Sequence, residues 1–295
     1  MTGAGASAAP QRGRIKRAVF FLLFFGGILV FWEALKAIGG DPWRINGEVV
    51  WLPPIDLNFA SDINLPHVWL IGTRLFEPIT GPASEPLGVY LFGQALYTWR
   101  EAFIGFALGA FLGIGLATVF VEFGLIERAL VPYVVASQTI PIVALAPLIV
   151  YLAGHNVGSV VIISTYLSFF PVTIAMLRGL RSPDPRALEL MRSYAASRRS
   201  VLWKVRFPAS LPYLFTALKI TATASIVGAI VAEGPGGIRD GLGRALLFFA
   251  QQYTVAPEKL WGAILFTAIL GILFFLIVRG VEVWVLRNRP QALAG

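Results

Sequence analysis

Six long apolar stretches, separated by shorter polar segments, form the pattern of hydrophobic and polar positions along the chain. They cover residues 18–38, 103–121, 131–152, 160–177, 213–231 and 260–278. Each is about 20 residues long, the length that a helix needs to cross the hydrocarbon of a bilayer. None alternates between apolar and polar residues as the strands of a membrane β-barrel do. The pattern predicts an all-α fold, a polytopic membrane bundle of six transmembrane helices.

The composition agrees with this class and excludes a soluble globular domain. Of the 295 residues, 57% are hydrophobic and 14% are charged, and the mean hydropathy is +0.73. Soluble domains carry about 25% charged residues. The chain has no cysteine, and His67 and His155 lack a carboxylate cluster at ligand spacing. We therefore expect neither a disulfide nor a metal site.

The first apolar stretch follows a basic segment, which is also the pattern of a secretory signal peptide. A signal peptide has a shorter apolar region and a small-residue cleavage site after it. The stretch 18–38 is long enough to span a bilayer. We interpret it as a retained first membrane helix, with a cleaved signal as the less favoured alternative.

Lysine and arginine residues are distributed unevenly between the two sides of the predicted bundle. With the N-terminus inside, 16 of the 24 fall in cytoplasmic segments and seven in extracytoplasmic ones. Cytoplasmic loops of membrane proteins are enriched in these residues. We therefore expect both termini to be cytoplasmic. The same rule accounts for the net charge of +8, and without an array of aromatic residues for stacking we expect no nucleic-acid partner.

The cytoplasmic segment between the fourth and fifth stretches combines a high density of charge with a helical pattern. Asp184 is suited to cap a helix that begins at Pro185, because proline fixes the backbone angle φ of a first helical position. Leu188, Met191 and Ala195 then share one face at helical spacing. The pattern predicts an amphipathic helix lying against the membrane face.

A second short helix is predicted directly after the first. Glu189 and Arg192 lie one turn apart on the first helix and are able to pair. Ser197 is suited to cap the second helix. We expect Pro208 to end that helix and Pro212 to begin the fifth transmembrane helix.

This loop resembles the cytoplasmic signature of the permease subunits of bacterial ABC importers. That signature reads EAA, three residues, G, nine residues, then I-x-LP. Glu189 stands at the acid, Ala195 at the glycine, Val205 at the isoleucine, and Phe207 and Pro208 at the final pair. The spacing agrees at every element. The resemblance implies a MetI-like permease fold in which this EAA-type loop couples the membrane helices to a cytoplasmic ATPase.

The loop departs from the family signature at two places. Leu190 and Met191 replace the paired alanines, and Ala195 replaces the glycine. An alanine keeps the bend without strain only if the backbone there does not need a positive φ. If a positive φ is needed, the geometry of the bend is expected to differ from that of the family.

The resemblance extends from about residue 65 to the sixth stretch and is closest to permeases of the nitrate, sulfonate and taurine type. LPHVW at 65–69 is similar to their LPSP segment, and the second stretch is similar to theirs, with Arg100 at the usual basic position. The third stretch has Pro141 and Pro147 where the family has prolines, and IVAEGPGGIRDGLG is similar to the family's AE…GLG run. The segment 41–63 is longer than in that group and stays unassigned.

The resemblance also implies partners and a location. Partners would be a cytoplasmic ABC ATPase dimer carrying ATP and Mg²⁺, an extracytoplasmic solute-binding protein, and a second permease subunit, either another copy or a paralogue. The location would be the bacterial cytoplasmic (inner) membrane, in contact with lipid. The chain has no phosphate-binding loop and no catalytic motif, so we expect it to bind no cofactor and to be no enzyme itself.

These expectations divide the chain into four parts. Residues 1–17 form a basic cytoplasmic tail, expected to be disordered, and residues 18–96 form the first transmembrane helix with an extracytoplasmic segment. Residues 97–284 form the permease core with its coupling loop at 178–210, and residues 285–295 form a cytoplasmic tail. The candidate coupling residues are Asp184, Leu188, Glu189, Met191, Arg192, Ala195, Ser197, Val205, Phe207 and Pro208.

Polar residues within the stretches are candidates for lining a pathway for solute, which the resemblance places along the third to fifth helices. They are Ser137, Gln138, Thr139, Thr165, Tyr166, Ser168, Thr221, Thr223, Ser225 and Glu233. Hydroxyl groups in membrane helices more often satisfy a neighbouring backbone carbonyl, and Glu233 is also suited to a structural acceptor role. Gly105, Gly109 and Gly113 are expected to pack against another helix, within the bundle or in a dimer.

The solute is left open between a small anion, such as nitrate, a sulfonate, taurine or bicarbonate, and a vitamin precursor such as a pyrimidine. The alternative function is a self-sufficient secondary transporter. Such transporters often have inverted repeats and acidic residues at mid-membrane depth. The chain has no convincing repeat, and its apolar stretches lack mid-membrane acids, so the ATP-driven importer is the favoured hypothesis.

Overall fold

The fold is a bundle of long helices with one small β-hairpin. The computed structural model describes residues 9–45, 48–81, 83–234 and 238–287. The helices are α1 (Ala9–Gly39), α2 (Val68–Arg74), α3 (Leu87–Glu122), α4 (Gly124–Ser137), α5 (Ile142–Ala153), α6 (Val157–Arg181), α7 (Pro185–Ser193), α8 (Arg198–Val201), α9 (Phe207–Glu233), α10 (Leu242–Gln251) and α11 (Pro257–Leu286). A π-helical turn at Leu202–Arg206 joins α8 to α9. The hairpin pairs β1 (Trp43–Ile45) with β2 (Glu48–Trp51).

Five helical runs among the described residues are long and apolar enough to cross a membrane. The number is six if the bent pair α4–α5 counts as one span. This confirms the predicted all-α membrane bundle. The first helix begins at Ala9, inside the segment 1–17 that was expected to be disordered.

The chain forms two compact units. One consists of Met1–Leu87 with Gln252–Gly262, and the other of Gly88–Gln251 with Ala263–Gly295. In the first unit a buried lysine, Lys36 of α1, organises the segment that the sequence left unassigned. Its Nζ donates to Asp62 Oδ1 and to the carbonyl of Leu65, both at 2.6 Å, and to the carbonyl of Ala60 at 3.3 Å. These bonds hold the segment around residues 60–65 against α1.

Glu33, one turn earlier on α1, fixes the start of α2. Its Oε1 accepts the backbone N–H of Val68 at 2.8 Å, and its Oε2 lies 2.8 Å from Nδ1 of His67. The first N–H groups of a helix have no partner within the helix, so a carboxylate there acts as a cap. The acid in the first apolar stretch thus has a structural role in this unit.

In the second unit a row of glycines on α3 packs against α6. A Cβ atom on Gly109 would lie 2.5 Å from Cβ of Ser168, and one on Gly113 would lie 2.7 Å from the carbonyl oxygen of Phe169. Gly105 meets Ser164 in the same way. Small residues four apart let two helices approach to backbone contact. Of the two interpretations of the glycine row, packing within the bundle is therefore the one observed.

The helices α6 and α9 form an equally close antiparallel pair. Near one end Gly179 lies against Ser210, where an added Cβ would be 2.8 Å from the serine Cα. Near the other end the hydroxyl of Ser164 donates to the carbonyl of Ser225 at 3.0 Å, and Gly228 lies against the Ser164 backbone. Small residues near both ends of the pair thus let the two helices approach closely.

The third predicted span, residues 131–152, is a bent pair of helices. The chain bends by 97° between α4 and α5. Pro141 precedes the first residue of α5 and lacks the N–H that a continuous ladder needs, and proline also disfavours the helical conformation of the residue before it. Pro147 also lacks an N–H but lies inside α5 without ending it.

The expectations that Pro208 ends a helix and that Pro212 begins the next one are wrong. Residues Arg198–Glu233 form one helical run that continues through Pro208 and Pro212. The π turn makes this possible because it bonds the N–H of Phe207 to the carbonyl of Leu202, five residues back, and a new α-helical ladder begins there. Pro208 then occupies a first-turn position, where a missing N–H is tolerated.

Gly109→Ala tests the contact between α3 and α6. The added methyl group has no room, so the two helices must separate, and overpacking of this kind costs about 1–3 kcal/mol. We expect the thermal unfolding midpoint of the protein in detergent to fall by about 3–9 °C. Gly115→Ala on the same helix is the matched control, because no atom lies within 4 Å of its Cβ position. An unchanged midpoint for Gly109→Ala would show that the helices are not in backbone contact.

Candidate functional site

The helix α7 is capped as its sequence predicts. The Asp184 carboxylate accepts the N–H of Arg186 at 2.9 Å, and Pro185 is the first helical residue. Leu188 and Met191 are half-buried. Of the predicted apolar face, Leu188 and Met191 are thus partly covered, whereas Ala195 is exposed, as are the charged residues Glu189 and Arg192.

The bend after α7 has the geometry for which glycine is usually needed. The N–H of Ala195 bonds to the carbonyl of Arg192 at 2.9 Å, and the N–H of Ala196 bonds to that of Met191 at 3.0 Å. These two bonds form a Schellman motif, whose C′ residue is left-handed. Ala195 is that residue, with φ of +49°. The bend keeps its shape, and the alanine bears a strain of about 1–2 kcal/mol that glycine would not.

The second half of the loop begins as predicted and then merges with α9. Ser197 caps α8 by accepting the N–H of Ser200 at 3.2 Å. Val205, Phe207 and Pro208 are half-buried, and the ring of Trp203 stacks on that of Phe207 with centroids 4.5 Å apart. The signature residues at the end of the motif thus lie where the loop becomes a transmembrane helix.

Two contacts fix this junction to the membrane helices. Leu202 is buried in an apolar cluster whose other buried members are Ala117, Phe120, Val172, Met176, Leu177, Leu180, Leu214 and Ala217. The Arg206 guanidinium donates from Nη1 to the carbonyl of Leu180 at 3.3 Å, near the C-terminal end of α6. The end of the loop is therefore in direct contact with residues of α3, α6 and α9.

The outer surface of the loop carries large apolar side chains that the sequence analysis did not single out. Leu190 is 57% exposed and Tyr194 is 76% exposed, and they are one helical turn apart. The sequence signal was their spacing of four residues, which places them on one side of the helix. Apolar side chains grouped on an exposed surface mark sites of protein contact.

Most of the candidate pathway residues donate to backbone carbonyl groups. Ser168, Thr221 and Ser225 are buried and each bonds a carbonyl three or four residues earlier on its own helix. Thr139 and Thr223 each bond a carbonyl three residues earlier and are exposed. Thr165 reaches the carbonyl of Gly105 on α3 at 3.3 Å.

Three of the candidates meet at the break between α4 and α5. The hydroxyl of Tyr166 donates to the carbonyl of Ser137, and Nε2 of Gln138 approaches the carbonyl of Tyr166 at 3.5 Å. The hydroxyl of Ser137 donates back to the carbonyl of Val134 at 2.8 Å. Non-helical backbone at membrane depth needs such partners. A role in solute passage stays a prediction for all of these residues.

Glu233 fixes the end of α9 to the start of α10. Its Oε2 accepts the Thr98 hydroxyl at 2.9 Å and the N–H of Gly243 at 2.7 Å. The Thr98 oxygen in turn accepts the N–H of Leu242 at 2.8 Å. The carboxyl group and the threonine together cap α10. Residues 235–237, in the turn between the two helices, lie outside the described residues.

The glycines of the AE…GLG run are explained by the same contact. Gly241 has φ of +108°, and a Cβ atom there would collide with the Glu233 carboxyl group. A Cβ on Gly243 would lie 2.9 Å from Cβ of Glu233. Glu233 and the two glycines therefore form one structural element. The Glu233 side chain occupies the space that a side chain at Gly241 or Gly243 would need.

Comparison with known proteins agrees with this geometry. Residues 105–287 match the family described as binding-protein-dependent transport system inner membrane component. The chain belongs to this family. With its five to six membrane-spanning runs, the permease is a multi-pass inner-membrane subunit of an ABC transporter for small solutes. Membership implies an ATPase and a solute-binding protein as partners.

Individual relatives of the permease carry different solute names. The formylaminopyrimidine transport permease protein ThiX of Halalkalibacterium halodurans is 35% identical over 88% of this chain and 92% of its own. The riboflavin transport system permease protein RibX of Chloroflexus aurantiacus is 28% identical over 78% and 75%. The putative aliphatic sulfonates transport permease protein SsuC of Bacillus subtilis is 29% identical over 65% and 68%.

Ala195→Gly tests the strain at the bend. Glycine adopts a positive φ without strain, so the end of α7 should be stabilised by about 1 kcal/mol. We expect hydrogen exchange of the α7 amides to slow about fivefold, measured by mass spectrometry. Ala196→Gly is the control: it only adds backbone freedom and should leave exchange unchanged or faster. Equal slowing in both variants would argue against strain at residue 195.

Proposed function

We propose that the permease is the membrane subunit of an ATP-driven importer and that the surface around α7 docks on its ATPase. The observation that carries the proposal is the pair of exposed apolar side chains, Leu190 on α7 and Tyr194 at its C-cap, one helical turn apart. Family membership supports an ATPase partner. The docking surface consists of Leu190, Tyr194 and the exposed acid Glu189 between the capped start of α7 and its bend.

The route from this surface to the membrane helices follows contacts already described. The bend at Ala195 joins α7 to α8, and the π turn makes α8 continuous with α9. Leu202 and Arg206 attach the same turn to the ends of neighbouring helices. Closure of the ATPase on ATP would move α7, and α9 would move as a rigid body with it.

The solute that we propose is a heterocyclic vitamin precursor with a pyrimidine ring. The relative named for formylaminopyrimidine transport shares most of its length with this chain, and a second relative is named for riboflavin. The alternative is a small anion of the sulfonate or bicarbonate kind, which other relatives carry in their names. In this class the solute-binding protein is expected to select the solute, and the permease to admit what it delivers.

The topology we propose has both termini in the cytoplasm, as the charge distribution favours. The chain has no cysteine, so a single introduced thiol is the only group in it that a maleimide can label. A membrane-impermeant maleimide applied to intact spheroplasts should label Ala83→Cys, between α2 and α3, and should not label Ser193→Cys. On inside-out vesicles the pattern should reverse. Labelling of both thiols from one side would contradict the topology.

The double variant Leu190→Ala/Tyr194→Ala tests docking. Burying each of these side chains in a partner is worth about 1.5–3 kcal/mol, so losing most of both should weaken binding of the ATPase at least 100-fold, on the order of the smaller sum. Co-purification of the ATPase with the tagged permease measures this. Tyr151→Ala/Leu152→Ala is the matched control, since those side chains are similarly exposed at the end of α5. Normal recovery of the ATPase with the double variant would remove α7 from the docking role.

Uptake tests the function itself. The permease, co-purified ATPase and solute-binding protein are reconstituted in liposomes and offered labelled formylaminopyrimidine, riboflavin or taurine. We expect ATP-dependent uptake of the pyrimidine compound, and we expect Glu189→Lys to insert normally yet abolish uptake. Uptake by the permease alone without ATP would instead establish a secondary transporter. ATP-driven uptake of taurine alone would keep the importer and replace the proposed solute.

A further inference from the structure

Unsatisfied polar atoms collect at one place inside the second unit. Among the described residues, four buried side-chain nitrogen or oxygen atoms have no hydrogen-bond partner. Three of them are carboxyl oxygens of Glu101 on α3 and Glu233 at the end of α9. Buried polar groups without partners are rare and costly, so a cluster of them calls for a missing ligand.

The two carboxyl groups are neighbours and both are enclosed by protein. Glu101 is 1% exposed and Glu233 is fully buried. Their side chains are close enough to interact with each other, and Glu101 also adjoins the hydroxyl of Tyr97. Two adjacent buried carboxylates repel each other strongly and cannot both stay ionised.

The existing hydrogen bonds show which of the two is the acceptor. Oε2 of Glu233 already accepts two bonds, from the Thr98 hydroxyl and from the N–H of Gly243. Its other oxygen, Oε1, is free of donors among the described residues. Glu101 accepts nothing there, at either oxygen. A carboxylate at Glu233 and a carboxylic acid at Glu101 would satisfy this arrangement with one proton.

We propose that Glu101 and Glu233 form a binding site for a single proton, carried by Glu101 and donated to Oε1 of Glu233. The bond joins the middle of α3 to the end of α9, and through Thr98 and Gly243 to the cap of α10. The proton is therefore a structural component of the end of the bundle opposite the coupling loop. Nothing in the proposed transport function requires it, and it would hold for any solute.

Charged groups around the pair do not replace the proton. Arg100 is the neighbouring cation, but its side chain is exposed. Asp240, before α10, is exposed as well and adds negative charge. Tyr97 is a neutral hydroxyl. The aromatic rings of Trp99 and Phe103 stack on each other along the same helix and bring no charge.

The proton makes stability depend on pH with a defined sign. An unfolded glutamate loses its proton above about pH 4.3, whereas the folded pair keeps it. The folded state then binds more protons than the unfolded state, so stability falls as the pH rises. Wherever the folded state holds one proton more than the unfolded state, each pH unit changes the folded-to-unfolded ratio tenfold.

The experiment measures the unfolding midpoint of the detergent-purified permease at about pH 6 and about pH 8, for the native chain and for Glu101→Gln. The amide of glutamine donates one permanent hydrogen to Glu233 and does not titrate. Between pH 6 and pH 8 we expect the unfolding midpoint of the native chain to fall by about 5 °C more than that of Glu101→Gln. Glu85→Gln, at an exposed acid of the first unit, is the control: its unfolding midpoint should fall between the two pH values as much as that of the native chain.

Infrared difference spectra report the proton directly. The native permease at about pH 6 should show the carbonyl stretch of a protonated, buried carboxyl group, and Glu101→Gln should lose it. Equal pH dependence in the two proteins, with no band lost, would overturn the proposal. Failure of Glu101→Gln to fold would also overturn it, because an amide donor reproduces the proposed bond.

A sodium series separates the proton from a metal cation. The same unfolding measurement is made in sodium-free buffer and with added sodium chloride, with choline chloride as the ionic-strength control. No specific shift is expected. A midpoint that rises with sodium and not with choline, and that responds in the same way in Glu85→Gln but not in Glu101→Gln, would assign the site to Na⁺ instead.

Discussion

Backbone contact between α6 and α9 is the constraint on which the rest of the second unit depends. Lipid tails are as apolar as leucine, so membrane helices gain little from the hydrophobic effect when they associate and rely on close packing instead. Gly179 and Gly228 supply that closeness on the two helices, and Ser164 adds a hydroxyl bond across them. The glycine row of α3 docks on the same helix α6 from another side.

The same close packing determines how the loop between α6 and α9 is attached to the bundle. A loop between two loosely packed helices would absorb motion in its own flexibility. Here the loop is a capped helix, a Schellman bend and a π turn, and each has its backbone bonds in place. Leu202 and Arg206 then tie its last turn to helices that are already in contact. The last turn of the loop and the α6–α9 pair are thus joined by direct contacts.

The sequence predicted those features that depend on local chemistry. The apolar stretches follow from length alone, and the caps at Asp184 and Ser197 follow from residue type and spacing. Prolines were a poorer guide, because their effect depends on what the neighbouring backbone can do. Pro141 marks a sharp bend while Pro208 is absorbed by a π turn, and nothing in the dipeptide sequence distinguishes the two. The pairing of Glu101 with Glu233 joins residues far apart in the chain, and only the close packing of the helices reveals it.

The π turn has a consequence for how the loop is oriented. A π turn is an α-helix with one extra residue, and each residue of an α-helix advances the chain by about 100°. The five residues Leu202–Arg206 therefore set the rotational phase of α8 relative to α9. Deleting one of them would let the ladder return to α-helical spacing, and α8 and α7 would swing by about a quarter turn around the axis of α9. The length of this turn thus sets the direction in which the exposed side chains of α7 point.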